Sequence, residues 1–333
     1  MSSISIDAST LQINSFGLQN LMNFIFVHER TLKEFGAIKI QLSSDCALAL
    51  KKRQISLTCA SIQQITKVSD DEPIYFVQKR DDANVYTGQR SPIKNEETFW
   101  CSLSNLGQKF STSGVSLLPN KSFFYEKQHG KYFSIHRIPR KSLLRLSGTK
   151  ITNQFVSSLT RAHGPGAIFP LSSVQQRLFL LVYHHQGGPR HWYIIPACER
   201  ETLQKILQRQ NSTYCLEHGE LMINPVVFDK YHIRYHRIIQ YPNEFVILSA
   251  GALSQSFTLD ASWSESIPFA LPSWIEEGHA TARNLACQCN INFPLSKTID
   301  VSVFRHELIQ KYIDTHLNIV KDGKTSITQN PMM

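Results

Sequence analysis

Leu181-Val-Tyr-His-His-Gln-Gly-Gly-Pro-Arg-His-Trp-Tyr-Ile-Ile-Pro196 decides how the chain is read. Apolar and β-branched residues run up to Gly187-Gly188-Pro189 and resume after it. That pattern predicts a strand, a tight turn and a second strand closed by Pro196, in short a hairpin. Farther along stand two more landmarks, Tyr241-Pro-Asn-Glu-Phe-Val-Ile-Leu-Ser249 and Phe269-Ala-Leu-Pro-Ser-Trp-Ile-Glu-Glu-Gly278.

The remainder of the chain is consistent with an ordinary globular protein. Its 333 residues, 42% of them hydrophobic, can bury a core as one large domain or two, which excludes a low-complexity tail. A formal charge of +9 permits contact with nucleic acid or an acidic chromatin surface, and serves simple solubility equally well. No apolar run reaches membrane-spanning length, and Met1-Ser-Ser-Ile-Ser-Ile-Asp7 lacks a basic region followed by an apolar core, so the expected setting is intracellular with no membrane partner. Seven cysteines spread through the chain point to free thiols or metal ligands rather than a disulfide framework.

Toward the N-terminus, Leu18, Leu21, Met22, Ile25 and Phe26 recur at helical spacing and predict one packing helix over Phe16 to Val27. Glu34-Phe-Gly-Ala-Ile-Lys-Ile-Gln41 then reads as a helix end, a glycine and a short strand. Asp70-Asp-Glu-Pro73 is a solvated turn, Gln78 to Glu97 a surface connection, and Thr98-Phe-Trp-Cys-Ser102 a short core helix. From Lys131 to Arg145, bases interleave with aromatic and aliphatic residues. This composition can contact nucleic acid, although an amphipathic segment with a solvated basic face explains it more simply. Along the 181–187 run, His184 and His185 are neighbours on one strand and point to opposite faces. Tyr231 to Arg237 reads as a loop with His232 and His236 on the surface.

The 181–196 block and the two later landmarks resemble the JmjC domain, whose members carry a Gly-x-Pro-Lys-x-Trp-Tyr-x-x-Pro hairpin, a Glu-Phe strand and a Phe-Ala-x-x-x-Trp-Ile segment. The segment over 34–41 resembles JmjN. Ser61-Ile-Gln-Gln-Ile-Thr66 and Ile74-Tyr-Phe-Val-Gln78 resemble the region after JmjN in the demethylases of histone H3 lysines 9 and 36. The resemblance implies an α+β fold: a cupin-like double-stranded β-helix, or jelly roll, over 151–280. A JmjN helix–strand unit over 14–60 and a mixed connecting region over 61–150 come before it. A helical zinc-binding segment over 281–322 and a tail over 323–333 come after.

It also implies Fe(II) and 2-oxoglutarate. Counted from Trp192 and Phe245, however, the three iron-ligand positions fall on Ser172, Val174 and Ser254, which cannot supply two imidazoles and a carboxylate. The lysine that pairs with 2-oxoglutarate corresponds to Arg190, the neighbouring asparagine to Val182, and a tyrosine partner to Tyr125. The methyl-lysine cage falls near Leu159 and Arg161, and a cation at Arg161 would repel a trimethylammonium group. Cys215, His218, Cys287 and Cys289 match a Cys3His zinc site of the same subfamily.

Three readings follow. The first is a nuclear, catalytically inactive relative of the histone demethylases, acting as a chromatin or protein scaffold. The second is an active demethylase with a rearranged site. The third is a basic nucleic-acid-binding module of other ancestry; on the JmjC readings nucleic acid is expected only as a weak, non-specific partner.

Overall fold

The computed structural model describes residues 10–51, 61–68, 71–80, 92–105, 111–126, 132–209, 216–281 and 299–318. Strand β1 (Thr10–Ile13) leads through helices α1 (Ser15–Gln19), α2 (Leu21–Val27) and α3 (Glu29–Phe35) to β2 (Ala37–Leu42). The single helix read over 16–27 is broken at Asn20. Its backbone leaves the helical region (φ −109°, ψ 36°) and its side-chain amide donates to the Phe16 carbonyl at 3.1 Å, the local competition that makes asparagine a helix interrupter. The apolar stripe survives the break, with Leu18, Leu21, Met22 and Ile25 all buried. Gly36 ends α3 at φ +74°, where a β-carbon would also stand 2.8 Å from Ile194.

β3 (Ser61–Lys67) and β4 (Ile74–Arg80) pair antiparallel. α4 (Glu96–Ser104) is capped by the Asn95 side chain and buries Phe99, Trp100 and Leu103, as the Thr98–Ser102 reading requires. After β5 (Ser111–Pro119), the basic segment forms α5 (Ile138–Lys141) and short turns before α6 (Thr149–Thr152). Ile135, Ile138, Leu143 and Leu144 are buried there, while Arg140, Lys141 and Arg145 stay in solvent.

The jelly roll follows, in the order β6 (Ser158–Ala162), β7 (Ile168–Ser173), β8 (Phe179–Gly187), β9 (Arg190–Ile195), α7 (Arg200–Arg209), β10 (His218–Ile223), α8 (Pro225–Lys230), β11 (His236–Gln240), β12 (Glu244–Leu248), β13 (Leu253–Thr258) and β14 (Ser262–Phe269). α9 (Ser273–Glu276) and α10 (His306–Tyr312) come after it. The described strands form one continuous ladder, β1-β2-β12-β8-β14-β6-β5-β3-β4-β10-β7-β13-β9-β11. The ladder folds back on itself, because one core cluster joins Val182 of β8 and Val246 and Leu248 of β12 to Trp192 and Ile194 of β9 and Ile238 of β11. The result is an α+β fold with a jelly-roll, cupin-like sheet. β2 extends that sheet by pairing with β12 over Ala37–Gln41.

The hairpin expectation fails. β8 pairs with β12 and β14, and β9 with β11 and β13, so the two strands lie in opposite layers and share no ladder. Gly187 and Gly188 carry the chain from one layer to the other across the β13–β14 turn. A β-carbon on Gly188 would lie 2.5 Å from the Asp260 nitrogen, and one on Gly187 2.1 Å from the Ala261 oxygen. The two glycines therefore serve a close backbone crossing rather than a two-residue turn.

Alternation along each strand then sorts residues into three layers. Leu181, Tyr183, Ile267 and Phe269 face outward onto the N-terminal helices and α10. Tyr193, Ile195, Leu171 and Phe257 face outward onto α4, α7 and α8. Val182, Trp192 and Ile194 face inward. One further expectation is corrected here: His236 is buried at the start of β11, its ring 4.7 Å from that of Phe35, whereas His232 is exposed as expected.

Candidate ligand site inside the jelly roll

Two of the three iron-ligand positions counted in the sequence share one face of the sheet. Ser172 on β7 and Ser254 on β13 are direct cross-strand partners, so their side chains rise from the same face. The backbone of His218 on β10 is in register with Ser172 from the other side. Val174, just beyond β7, packs its methyl groups against the core cluster beneath α1, α2 and α10. Two hydroxyls and a valine are not a donor set for Fe(II), which takes a facial triad of two imidazoles and a carboxylate, so these residues do not fit the metal. No described group of three or more His, Cys, Asp or Glu side chains could hold a metal ion. The nearest imidazoles along the chain are also engaged elsewhere: His163 meets Ser116 Oγ at 2.8 Å, and His185 lies on the outward face.

Arg190 is buried in the interior. Its Nε donates to Ser256 Oγ at 2.9 Å and a terminal nitrogen to Ser264 Oγ at 3.4 Å. The guanidinium carbon sits 3.6 Å from the Phe169 ring centroid and 3.9 Å from that of Trp192. Two aromatic rings and two hydroxyls thus take the place of a counter-ion, and no described carboxylate pairs with it. Burial lowers its pKa to about 9. Trp192 is held in turn by Gln240, which accepts from its indole at 3.0 Å and donates to the Val182 carbonyl at 3.0 Å.

His184, on β8 in the facing layer, is fully buried, and neither ring nitrogen makes a hydrogen bond of good geometry. Burial first and the Arg190 charge second push its pKa down to about 4, despite nearby backbone of Gly187 and Gly188 that favours the proton. Among the described residues the interior therefore carries one positive charge, a neutral imidazole and a row of hydroxyls. Such a surface is suited to an anion and unsuited to a divalent cation.

The other sequence candidates are more scattered. Tyr125 does not join this site: its side chain is 43% exposed and no described contact links it to Arg190. Arg161 lies on β6 with its guanidinium 5.0 Å over the Trp263 ring, and Leu159 is buried beside Trp263. Cys215, Cys287 and Cys289 lie outside the described residues, as does the side chain of His218.

Sequence reasoning missed a buried polar network on the outward face. Glu265 of β14 is fully buried and accepts from Ser122 Oγ and from the Phe123 amide at 3.1 Å, with His185 Nε2 3.1 Å away. His136 closes the chain, its Nε2 2.9 Å from Ser122 Oγ. Burial alone would raise the Glu265 carboxyl, but these hydrogen bonds overcome it and hold the group below its ordinary range. Burial lowers His136. The available signal was parity, since Glu265 interrupts the outward apolar set Trp263, Ile267 and Phe269.

Compared with protein families, residues 164–269 match the JmjC domain, described as a hydroxylase. Among curated proteins the chain is 33% identical to Protein Jumonji of Gallus gallus over 116 residues, 33% of this chain and 9% of that protein. It is 31% identical to Multicopy suppressor of chk1 protein 1 of Schizosaccharomyces pombe over 126 residues, 36% of this chain and 8% of that one. It is 27% identical to Probable lysine-specific demethylase 4F of Homo sapiens over 130 residues, 37% of this chain and 20% of the relative. This chain thus spans no more than 20% of the length of any of these three relatives. With its jelly roll formed and its sequence matched across 164–269, the chain contains a region similar to the JmjC domain.

Proposed function

We propose that the protein does not demethylate lysine and acts in the nucleus as a scaffold for chromatin or a protein partner. The observation that carries this reading is the facing pair Ser172 and Ser254, with Val174 turned into the core, at the three positions where the family's iron ligands are expected. Arg190, stacked between Phe169 and Trp192 beside Val182, supports it: the guanidinium is already satisfied internally, and the neighbouring asparagine that would help hold 2-oxoglutarate is replaced by methyl groups. The test is incubation of methylated histone H3 peptides with the protein, Fe(II), ascorbate and 2-oxoglutarate, read by mass spectrometry and succinate formation. We expect neither product. Methyl loss coupled to succinate and abolished by a chelator overturns the reading.

One observation favours the alternative of an active enzyme with a rearranged site, namely the register of His218 beside Ser172. A facial triad needs two further donors at that place. Stoichiometric iron in the purified protein would support the alternative.

A structural zinc held by Cys215, His218, Cys287 and Cys289 belongs to the same proposal and rests on the sequence resemblance. Structural zinc binding is folding energy, so Cys289→Ser is expected to release zinc and lower the melting temperature. Unchanged metal content and melting would remove zinc from the proposal.

A further inference from the structure

A cavity of about 110 Å³ lies between α1 and α2, which meet at the Asn20 break, and the segment leading into α5. Leu18, Leu21 and Met22 line it from the N-terminal helices, and Phe133 and Ile138 from the facing segment. All five belong to the core, so the floor is apolar. Arg137, Lys141 and the half-exposed Tyr132 complete the lining. Arg137 and Lys141 stand at i and i+4, the spacing that brings two side chains to one helical face. Lys141 Nζ donates to the Gln19 carbonyl at 2.7 Å, which satisfies the last carbonyl of α1 and anchors the ammonium beside the cavity with further N–H donors to give. No described carboxylate acts on Lys141; partial desolvation first and the Arg137 charge second lower its pKa from the ordinary lysine value.

We propose that this cavity docks an acidic segment of a protein partner, with one leucine-sized side chain on the apolar floor and flanking carboxylates on Lys141 and Arg137. Charge and size together decide the class of ligand. The lining holds two cations and no carboxylate, so an acidic segment is complementary to it and a basic one is repelled. Its volume is somewhat below the roughly 150 Å³ that holds a benzene ring in an apolar protein cavity, which suits one aliphatic side chain. A free phosphate or carboxylate would engage the cations and leave the apolar floor unfilled. A nucleobase would bury its polar edge against aliphatic groups, and the Ser134 hydroxyl that could meet it already donates to the Tyr125 carbonyl at 2.8 Å. Tyr132, half exposed beside the cations, offers a ring for the partner's chain to pack on. No residue of the jelly-roll interior takes part, so the inference stands apart from the reading of the iron positions.

Fluorescence anisotropy on the full chain tests it with labelled, end-blocked peptides: one leucine flanked by glutamates, the same peptide with alanine for leucine, and the same with lysines for glutamates. The leucine–glutamate peptide is expected to bind. Alanine for leucine should weaken binding by about tenfold or more, since it withdraws the buried apolar group, and lysine for glutamate should abolish it. Lys141→Glu should weaken binding by about tenfold or more, and Lys205→Glu, exposed on α7 across the sheet, should leave it unchanged. Tyr132→Ala provides a variant at a half-exposed position, expected to weaken binding without lowering the melting temperature. Absence of binding by the leucine–glutamate peptide, equal binding of the alanine or lysine form, or affinity unchanged by both Lys141→Glu and Tyr132→Ala overturns the proposal. A labelled single-stranded oligonucleotide that binds as tightly and is lost with the same two variants also overturns it, and assigns the cavity to nucleic acid.

Discussion

His184 illustrates how a single residue can tie the interior to pH. Its imidazole is held neutral, with a pKa of about 4 against an ordinary 6.5. A depressed basic group binds fewer protons folded than unfolded between those two values, so its contribution to stability is complete above pH 6.5 and is lost as the pH falls toward 4. The full span is worth on the order of 3 kcal/mol. Denaturant midpoints measured across this window should fall with pH in the natural protein, and the fall should be shallower in His184→Leu, which keeps the volume beside Val182 and removes the titration. An equally steep fall in the variant would assign the acid sensitivity to other groups. The iron positions allow a second residue-level test. Ser172→His, Val174→Glu and Ser254→His together restore a facial triad in type, and the cross-strand pairing of Ser172 with Ser254 brings two of the new ligands onto one face. Iron content is expected to rise while turnover stays negligible, because Val182 still cannot hydrogen-bond a cosubstrate and Arg161 still presents a cation near the expected cage. Demethylation by the triple variant would show that those two losses matter less than the metal.

Among the elements, the strands were legible and their partners were not. The apolar runs around Gly187-Gly188-Pro189 located β8 and β9 correctly, yet short-range turn chemistry cannot reveal that the two strands belong to opposite layers. That depends on Asp260 and Ala261, far along the chain, occupying the space any side chain at 187 or 188 would need. Similarly, the parity of His184 and His185 could be read directly, whereas the partner of His185 could not, because Glu265 arrives from a strand 80 residues away. Glu265 joins β14 to the segment carrying Ser122 and Phe123, and so straps the connecting region onto the sheet. Removing one partner of a buried, hydrogen-bonded charge leaves the others unmet. Glu265→Gln is therefore expected to cost about 2–4 kcal/mol in a denaturant titration at neutral pH. Since the folded carboxyl is held below its ordinary range, this stabilisation is present above that range and is lost as the pH falls through the folded value. A change within about 0.5 kcal/mol, the ordinary surface range, would mean that the strap is held by the packing of Phe123 and Phe124 alone.

Across the whole molecule, charge and apolar surface are segregated in a way that limits what the basic balance can do. Arg140, Lys141 and Arg145 are exposed on one face, with His316 of the C-terminal turn beside Arg145 at 2.5 Å, while the apolar residues interleaved with them are buried. The aromatic partners that would stack on bases are largely withdrawn: Phe133 is in the core, and Tyr132, half exposed, is the aromatic of that segment left at the surface among the described residues. A face with bases but few stacking rings neutralises phosphates and reads little sequence. The expected outcome is weak binding to any duplex, falling by about tenfold or more between low and physiological salt as counterion release loses its driving force, with equal affinity for unrelated sequences. Arg140→Glu with Arg145→Glu should weaken binding to every duplex alike and flatten the salt dependence, as loss of phosphate contacts requires. Fluorescence anisotropy on two unrelated duplexes at two salt concentrations makes the measurement. A preference for one sequence that persists at high salt would require base-edge contacts, and would favour a nucleic-acid-binding module over a JmjC scaffold as the working description of this face.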